Sequence, residues 1–283
     1  MGAFSALRFL PILHRNPLRS GRRFVCMRIF LIKLKNIYSE SLRLIDARFA
    51  RAIFIPQIIL IFTDMKNQKT FEYLKQFLTA ERLEKIEFYA AESSDFVLPV
   101  IEDVFQFRNA AAIVRSVEAC GFHKIVAMES VNEFNPNLRV TKGAETWVEV
   151  EKIPHGLDSI KEIKNRGYKI LAVSPEKNAT FLNDYEINEP VALVFGTEAA
   201  GVTEEILEFA DETLAIPMYG FTKSFNVSVA AAICVYELKQ KLLKSDIDYK
   251  LSEEKLWQMK IRWAVNSLQS GEQILGKYLK ENV

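Results

Sequence analysis

The spacing of hydrophobic positions changes near residue 95, and the change separates helical from strand-like segments. Between residues 67 and 91 the apolar side chains recur every three or four positions, which predicts two short amphipathic helices. Beyond residue 95 the apolar residues instead form short uninterrupted runs, which are typical of strands buried on both faces. These runs are Val97–Ile101, Lys124–Met128, Lys169–Val173 and Val191–Phe195, with a further strand-like run at Thr213–Ile216.

Helical stretches separate several of these runs. Asn109 is predicted to cap a helix over Ala110–Cys120, and a second helix is predicted over Gly156–Asn165. Strands that alternate with helices predict an α/β fold with a parallel sheet flanked by helices. Because ligands of such sheets bind beyond the carboxyl ends of the strands, we expect the loops at those ends to carry the function.

Composition divides the chain into four segments. Residues 1–64 are a basic extension, and residues 65–95 are an N-terminal extension that holds the predicted helical pair. Residues 96–245 form the α/β domain. Residues 246–283 begin with a hinge and continue as a helical extension, with one long helix predicted over Glu253–Leu279.

The basic extension has two interpretations. Its Arg-rich, acid-poor sequence is typical of an organellar transit peptide. Alternatively the true start is Met65 or Met27, since the periodic sequence begins only after Met65. Its longest uncharged run, Ala52–Thr63, has about 12 residues, whereas a membrane-spanning helix needs roughly 20. We therefore expect neither a membrane span nor a chemical role for this segment.

The net charge of +1 conceals an uneven distribution. The net charge is +8 over residues 1–64 and +3 over residues 239–283, which leaves −10 for residues 65–238. An acidic body argues against RNA binding over the whole surface, so RNA contacts are expected from local basic clusters or from the chain ends. The three cysteines and three histidines are widely scattered, which predicts no metal site and a reducing, cytoplasmic environment.

Three loop segments carry polar side chains at the predicted functional edge. The first reads FRNAAAIVRS, in which Asn109 and Arg115 stand six positions apart. Taken alone, these two residues are better interpreted as a helix cap and a solvated charge than as functional groups. Arg82, Lys85, Arg139, Lys142, Lys255, Lys260 and Arg262 are further candidates for RNA contacts, whereas Trp257 and Trp263 fit packing better than base stacking.

The second segment runs from the strand VALVF into GTEAAGVT. Gly196 and Gly201 flank Glu198, and glycines at such a turn let a ligand approach the backbone closely. The phosphate-binding patterns GxGxxG and GxxxxGK[ST] are both missing from the sequence, so a nucleotide phosphate site is not supported. A plain strand-to-helix connection is the alternative interpretation.

The third segment reads IPMYGFTKSFNVS and leads into an Ala-rich helix. Ser224, Asn226 and Ser228 lie at the start of that helix, where polar side chains either orient substrate hydroxyls or satisfy free backbone N–H groups. A helix rich in small apolar residues is also typical of a buried dimer interface.

In this order and spacing, the three segments resemble the motifs of the SpoU family of SPOUT-class RNA 2′-O-methyltransferases. The pattern of that family is N-x5-R, then a strand with G-x-E-x-x-G, then IPM-x-G followed by S-hydrophobic-N-x-S. The resemblance covers roughly residues 68–240 and is closest to the TrmH-like group, which modifies tRNA. Phe225 departs from the pattern, since leucine is more usual there.

The resemblance implies a C-terminal trefoil knot, a homodimer and S-adenosyl-L-methionine as cofactor. It implies catalytic or positioning roles for Arg115, Asn109, Glu198, Ser224 and Asn226. It implies that the cofactor lies near Val173, Gly196, Thr197, Ile216 and Phe225. The implied reaction is methylation of a ribose 2′-hydroxyl, with guanosine 18 in the tRNA D-loop as substrate. A 23S rRNA ribose methyltransferase and a catalytically silent RNA-binding module are the alternatives.

Overall fold

A computed structural model describes residues 66–104, 106–131, 133–134, 138–176, 178–197 and 200–282. The basic extension and both interpretations of it therefore lie outside the described residues. Glu198 also lies outside them, as does the side chain of Arg139.

Seven parallel strands form one sheet. They are β1 (Val97–Glu102), β2 (Lys124–Glu129), β3 (Glu149–Pro154), β4 (Lys169–Val173), β5 (Thr180–Phe181), β6 (Val191–Phe195) and β7 (Glu212–Ala215). Their order across the sheet is β3-β2-β1-β6-β4-β7-β5, and every pairing is parallel. The predicted parallel sheet is thus confirmed, while β3 and β5 are additional to the predicted strands.

Helices cover both faces of this sheet. In chain order, the described helices are α1 (described over 66–74), α2 (Ala80–Ala91), α3 (Phe107–Ala119), α4 (Leu138–Thr141), α5 (Leu157–Asn165), α6 (Glu204–Phe209), α7 (Val227–Lys244), α8 (Glu253–Ser267) and α9 (Gly271–Asn282). Single 3-10 turns lie at Lys75–Phe77 and Ala144–Thr146. None of the described helices has the length and hydropathy required to cross a membrane.

Alternate residues of the central strand β1 enter two different cores. Val97 and Ile101 pack with α3 and α7 on one face of the sheet, whereas Leu98 and Val100 pack with α5 and α6 on the other. Successive side chains of a strand point to opposite faces, so a strand that is apolar at both sets of positions must be covered twice. This explains the continuous apolar runs in the sequence.

The helices at the two ends of the described chain share a third core. Phe71 and Leu74 of α1 and Ile86 of α2 pack with Met259 and Trp263 of α8. The two predicted helices in residues 67–91 are confirmed as α1 and α2. The terminal helices therefore form one packed unit beside the sheet, although they are far apart in sequence.

The single long helix predicted over Glu253–Leu279 is wrong. The chain instead forms α8 and α9, joined by a tight turn after Ser267. Gly271 packs against the backbone of Val265, where a Cβ atom would overlap the Val265 carbonyl group. The glycine permits this close return of the chain, and apolar periodicity does not reveal it.

Candidate functional site

The predicted cofactor residues lie together at the carboxyl edge of three adjacent strands. Val173 ends β4, Gly196 and Thr197 follow β6, and Ile216 follows β7. Val173 and Ile216 are partly buried and pack against the core that contains α3 and α7. The sheet therefore brings four of the five predicted cofactor residues to one edge, as the sequence predicts.

The loop after β6 is closed by two backbone hydrogen bonds. The Thr197 N–H donates to the Gly201 carbonyl at 3.0 Å, and the Gly201 N–H donates to the Thr197 carbonyl at 2.9 Å. A Cβ atom on Gly196 would overlap the Gly201 carbonyl group and the Val202 nitrogen. The loop folds back directly onto Gly196, so only glycine fits at that position.

A cluster of three side chains joins the first and third motifs. The Asn109 side-chain oxygen accepts hydrogen bonds from Nδ2 of Asn226 at 3.2 Å and from the Ser228 hydroxyl at 3.5 Å. The Asn226 side chain caps α7, since its Oδ1 accepts from the Ser228 N–H at 3.0 Å. Asn109 is buried, so this contact positions the start of α7 against α3.

The prediction that Asn109 caps α3 is wrong. The helix begins at Phe107 with Gln106 as its N-cap residue, which places Asn109 in the first turn. The side chain of Asn109 faces α7, and it bonds to a residue 117 positions later in the chain. A local capping pattern and this long-range contact use the same residue type, and the sequence alone does not distinguish them.

Arg115 lies on the exposed face of α3, beyond the asparagine cluster. Its Nη1 donates to the Val140 carbonyl of α4 at 3.3 Å. It borders an open cleft of about 610 Å³ between α3 and the chain segment around Lys142 and Trp147. We call this the α3 cleft, and its polar lining includes Arg115, Ser116, Glu118, Thr141 and Lys142. Arg115 is thus available to an external ligand that enters this cleft.

Ser224 and Phe225 lie in the exposed segment that precedes α7. Within the described part of the chain, the Ser224 side chain makes no hydrogen bond. Tyr219 and Phe221 in the same segment are almost fully exposed. Ser224 and Phe225 thus lie just before α7 in the chain. The Ser224 side chain is not hydrogen-bonded to the asparagine cluster.

Sequence reasoning missed a buried carboxylate at the same edge of the sheet. Glu102 ends β1 and has no exposed surface. Its Oε1 lies 2.7 Å from Nε2 of His155, and its Oε2 accepts from the Thr203 N–H at 3.1 Å. Glu102 therefore links β1 to the residue after β3 and to the end of the loop after β6. The available signal was an acidic residue that directly follows a buried strand.

Most of the cations predicted to contact RNA are engaged within the protein. Lys85 pairs with Glu81, Lys255 with Asp95, Lys260 with Glu87, and Arg262 with Glu149. The guanidinium of Arg82 lies 5.0 Å from the centre of the Trp147 ring. Trp263 is buried and its Nε1 donates to the Trp147 carbonyl at 2.8 Å, which confirms a packing role.

Comparison with known proteins identifies relatives of the chain. The model of the SpoU rRNA Methylase family matches residues 97–236. A tRNA (guanosine(18)-2'-O)-methyltransferase of Borreliella burgdorferi is 36% identical over 190 residues, which cover 67% of this chain and 87% of the relative. The protein of the same name from Aquifex aeolicus is 31% identical over 201 residues, which cover 68% of this chain and 92% of the relative.

A solved structure is similar to the described fold. It is the crystal structure of the A. aeolicus TrmH/SpoU tRNA-modifying enzyme, with a TM-score of 0.61 and 30% sequence identity. The match covers 66% of this chain and 97% of that structure. The similarity thus extends over nearly the whole of the solved chain.

Proposed function

Because the chain belongs to the SpoU methylase family, we propose that it transfers a methyl group from S-adenosyl-L-methionine to a ribose 2′-hydroxyl of RNA. The proposed substrate is guanosine 18 in the tRNA D-loop, since the names of both relatives specify this nucleotide. The observation that carries the proposal is the Asn109–Asn226 hydrogen bond. This bond joins the first and third motifs at the sheet edge where the second motif lies. The proposed compartment is the cytoplasm, where the unpaired Cys120 and Cys234 stay reduced.

The residues at the carboxyl edge fit the cofactor. Val173 and Ile216 offer apolar surface for an adenine ring, and the partly exposed Phe225 lies in the segment between β7 and α7. The backbone of Gly201 and Val202 packs directly against Gly196, so no side chain fills the space at that position. When bound, the cofactor supplies an electrophilic methyl group on a sulfonium that leaves as a neutral thioether.

The protein must orient the ribose hydroxyl in line with the methyl group and stabilise the loss of the hydroxyl proton, which passes to solvent water as the O–CH3 bond forms. An arginine guanidinium donates hydrogen bonds and carries a positive charge, so the role of Arg115 is to hold the RNA phosphate and stabilise negative charge on the 2′-oxygen. Asn109 and Asn226 fix the start of α7, and with it the segment that contains Ser224. The proposed role of Glu198 is to accept hydrogen bonds from backbone N–H groups of its own loop.

The proposed enzyme is a homodimer, and α7 supports this assembly. Val229, Tyr236 and Leu243 are 44 to 59% exposed, although all three are apolar or aromatic. They lie seven residues apart, so they form one stripe along the helix. Phe107 at the start of α3 is also exposed. A second copy of the chain would cover these side chains next to the asparagine cluster.

The proposed domain organisation assigns RNA contacts to the chain ends. Residues 65–95 and 246–283 act together as one accessory unit beside a catalytic domain over residues 96–245. The shared core of α1, α2 and α8 supports this organisation. The basic extension 1–64 has no role in the proposed reaction.

The proposed fold contains a C-terminal trefoil knot. The later strands β6 and β7 flank the earlier strand β4, and the loops at their carboxyl ends lie side by side. The shared edge of these loops supports the proposed knot, in which one of them would thread through another. Mechanical unfolding by pulling on the two chain ends tests the knot. When fully extended, a knotted chain is shorter than an unknotted chain with the same number of residues.

The decisive experiment is a methyl-transfer assay on unmodified total tRNA and rRNA, followed by nucleoside mass spectrometry. The full chain, Arg115→Ala and the control Lys161→Ala are compared, since Lys161 is an exposed cation on α5. We expect 2′-O-methylguanosine in tRNA from the full chain and the control, and a large loss of it from Arg115→Ala.

The remaining outcomes separate the alternatives. Methylation of rRNA alone would identify an rRNA ribose methyltransferase and contradict the tRNA assignment. A folded protein that transfers no methyl group and binds no cofactor in titration calorimetry would favour the catalytically silent RNA-binding module.

A further inference from the structure

The acid Glu118 faces the α3 cleft without a partner. It lies three residues after Arg115 on α3, and it is the only acid among the described residues that line the cleft. Its carboxylate makes no hydrogen bond and no ion pair with any described residue. Partial burial removes water from the Glu118 carboxylate. This loss of solvation disfavours the charged form and raises the pKa of the carboxyl.

The other polar groups of the cleft are suited to the RNA backbone. Arg115 and Lys142 are exposed cations on its lining, and they provide charge for a phosphate. Arg115, three residues before Glu118 on α3, donates to the Val140 carbonyl rather than to Glu118. An acid on the same lining weakens phosphate binding, so its presence there favours a ligand that also donates hydrogen bonds.

The four RNA bases differ in the donors that they offer to a carboxylate. An ionised carboxylate only accepts hydrogen bonds, and it accepts two parallel ones from a pair of adjacent donors. Guanine presents such a pair on its Watson–Crick edge, namely N1–H and the N2 amino group. Adenine and cytosine present an acceptor beside one amino donor, and uracil presents one donor between two acceptors. A carboxylate therefore selects guanine.

We propose that Glu118 is a specificity-determining residue, which accepts hydrogen bonds from N1–H and N2–H of the target guanine in the α3 cleft. Residues three apart on a helix have Cβ atoms about 5–6 Å apart. One nucleotide along α3 thus presents its phosphate to Arg115 and its base edge to Glu118. This inference rests on the proposed tRNA guanosine methylation and adds the group that reads the base.

The test replaces guanosine 18 by inosine in an otherwise identical ligated tRNA. Inosine keeps N1–H and lacks the N2 amino group, so it loses one of the two hydrogen bonds. The full chain is expected to prefer guanosine by about tenfold in kcat/KM, the usual effect of losing one hydrogen bond to a charged group. In Glu118→Ala and in the isosteric Glu118→Gln, this preference is expected to fall to within about threefold.

Two control variants separate base recognition from general weakening. Lys142→Ala is expected to lower kcat/KM for both tRNAs by the same factor, because a phosphate contact carries no information about the base. Glu208→Gln removes an exposed acid from α6, outside the accessory unit, and it is expected to leave both rates and their ratio unchanged. Thermal unfolding and cofactor titration check that each variant is folded.

The outcomes distinguish this inference from the proposed function. Methylation of guanosine tRNA with an unchanged guanosine-to-inosine preference in both Glu118 variants would overturn the role of Glu118 alone. Equal rates on both tRNAs by the full chain would overturn it as well. Failure of the full chain to methylate either tRNA would overturn the proposed function and this inference with it.

Discussion

Nε2 of His155 lies 2.7 Å from the Oε1 atom of Glu102, whose carboxyl group is completely buried. An ionised carboxylate only accepts hydrogen bonds, so the hydrogen between the two groups belongs to Nε2 whenever Glu102 is ionised. The second oxygen of Glu102 accepts from the Thr203 N–H. One side chain thus connects the ends of β1 and β3 with the loop that follows β6, at the edge proposed to bind cofactor.

Glu102→Gln is expected to lower the free energy of unfolding by about 1–3 kcal/mol, because it replaces one acceptor oxygen by an amide donor inside a buried site. It is also expected to weaken cofactor binding, since Thr203 ends the Gly196 loop. Urea unfolding and titration calorimetry measure the two effects. Glu208→Gln, an exposed acid on α6, is the matched control. Equal unfolding midpoints for both variants would contradict the structural role.

Asn109→Ala and Asn226→Ala are both expected to reduce methyl transfer, because each removes the bond between α3 and α7. Asn226→Ala is expected to have the larger effect, since it also removes the N-cap of α7. The double variant is expected to lose little more than Asn226→Ala alone, with a coupling energy of about 1 kcal/mol. Single-turnover rates at saturating cofactor measure this coupling. Strictly additive losses would mean that the two asparagines act independently.

Gly196→Ala is expected to abolish cofactor binding, since the added Cβ atom would overlap the backbone of Gly201 and Val202 and force the loop away. Gly220→Ala is the matched control, because nothing lies within 4 Å of a Cβ atom at that glycine. Titration calorimetry with S-adenosyl-L-methionine compares the two variants. Normal affinity in Gly196→Ala would show that the loop does not shape the site.

Stability is expected to fall as the pH drops from 6.5 towards 4. Burial, followed by the positive charge of Arg262, lowers the pKa of His123 from 6.5 to about 4. In this window the unfolded chain binds a proton at His123 and the folded chain does not, so acid favours unfolding. The slope from this group is about 1 kcal/mol per pH unit.

Urea unfolding at several pH values measures that slope. His123→Gln is expected to flatten it between pH 4 and pH 6.5, whatever the variant does to stability at neutral pH. An identical slope in the variant would mean that other groups cause the acid sensitivity.

The central strands were predictable because their burial leaves a continuous apolar signal. Lys169–Val173 and Val191–Phe195 were predicted with the bounds that the structure has. The strand β3, Glu149–Pro154, escaped prediction because it lies at the edge of the sheet and carries charged residues on both faces, which interrupt the apolar run. The strand β5 has only two residues, too few for any periodicity.

From the sequence, candidate site residues could be predicted only within the three short motifs. Asn109 and Asn226 each stood in a recognisable segment, but their bond depends on the packing of α3 against α7. Glu102 and His155 belong to none of the three motifs, and only the folded sheet brings them together. The role of Glu118 likewise depends on the α3 cleft, which forms between segments far apart in sequence.

The pairing of β1 with β6 affects how the protein folds during its synthesis on the ribosome. Val97 pairs with Val191, so the middle of the sheet joins two segments 94 residues apart. During synthesis β1 has no partner on that side until β6 has left the exit tunnel, and its apolar edge stays open meanwhile. Non-local parallel pairing of this kind is slow and exposes the chain to aggregation. We therefore expect nascent chains to depend on chaperones until β6 has left the exit tunnel, and to close the sheet unaided after that point.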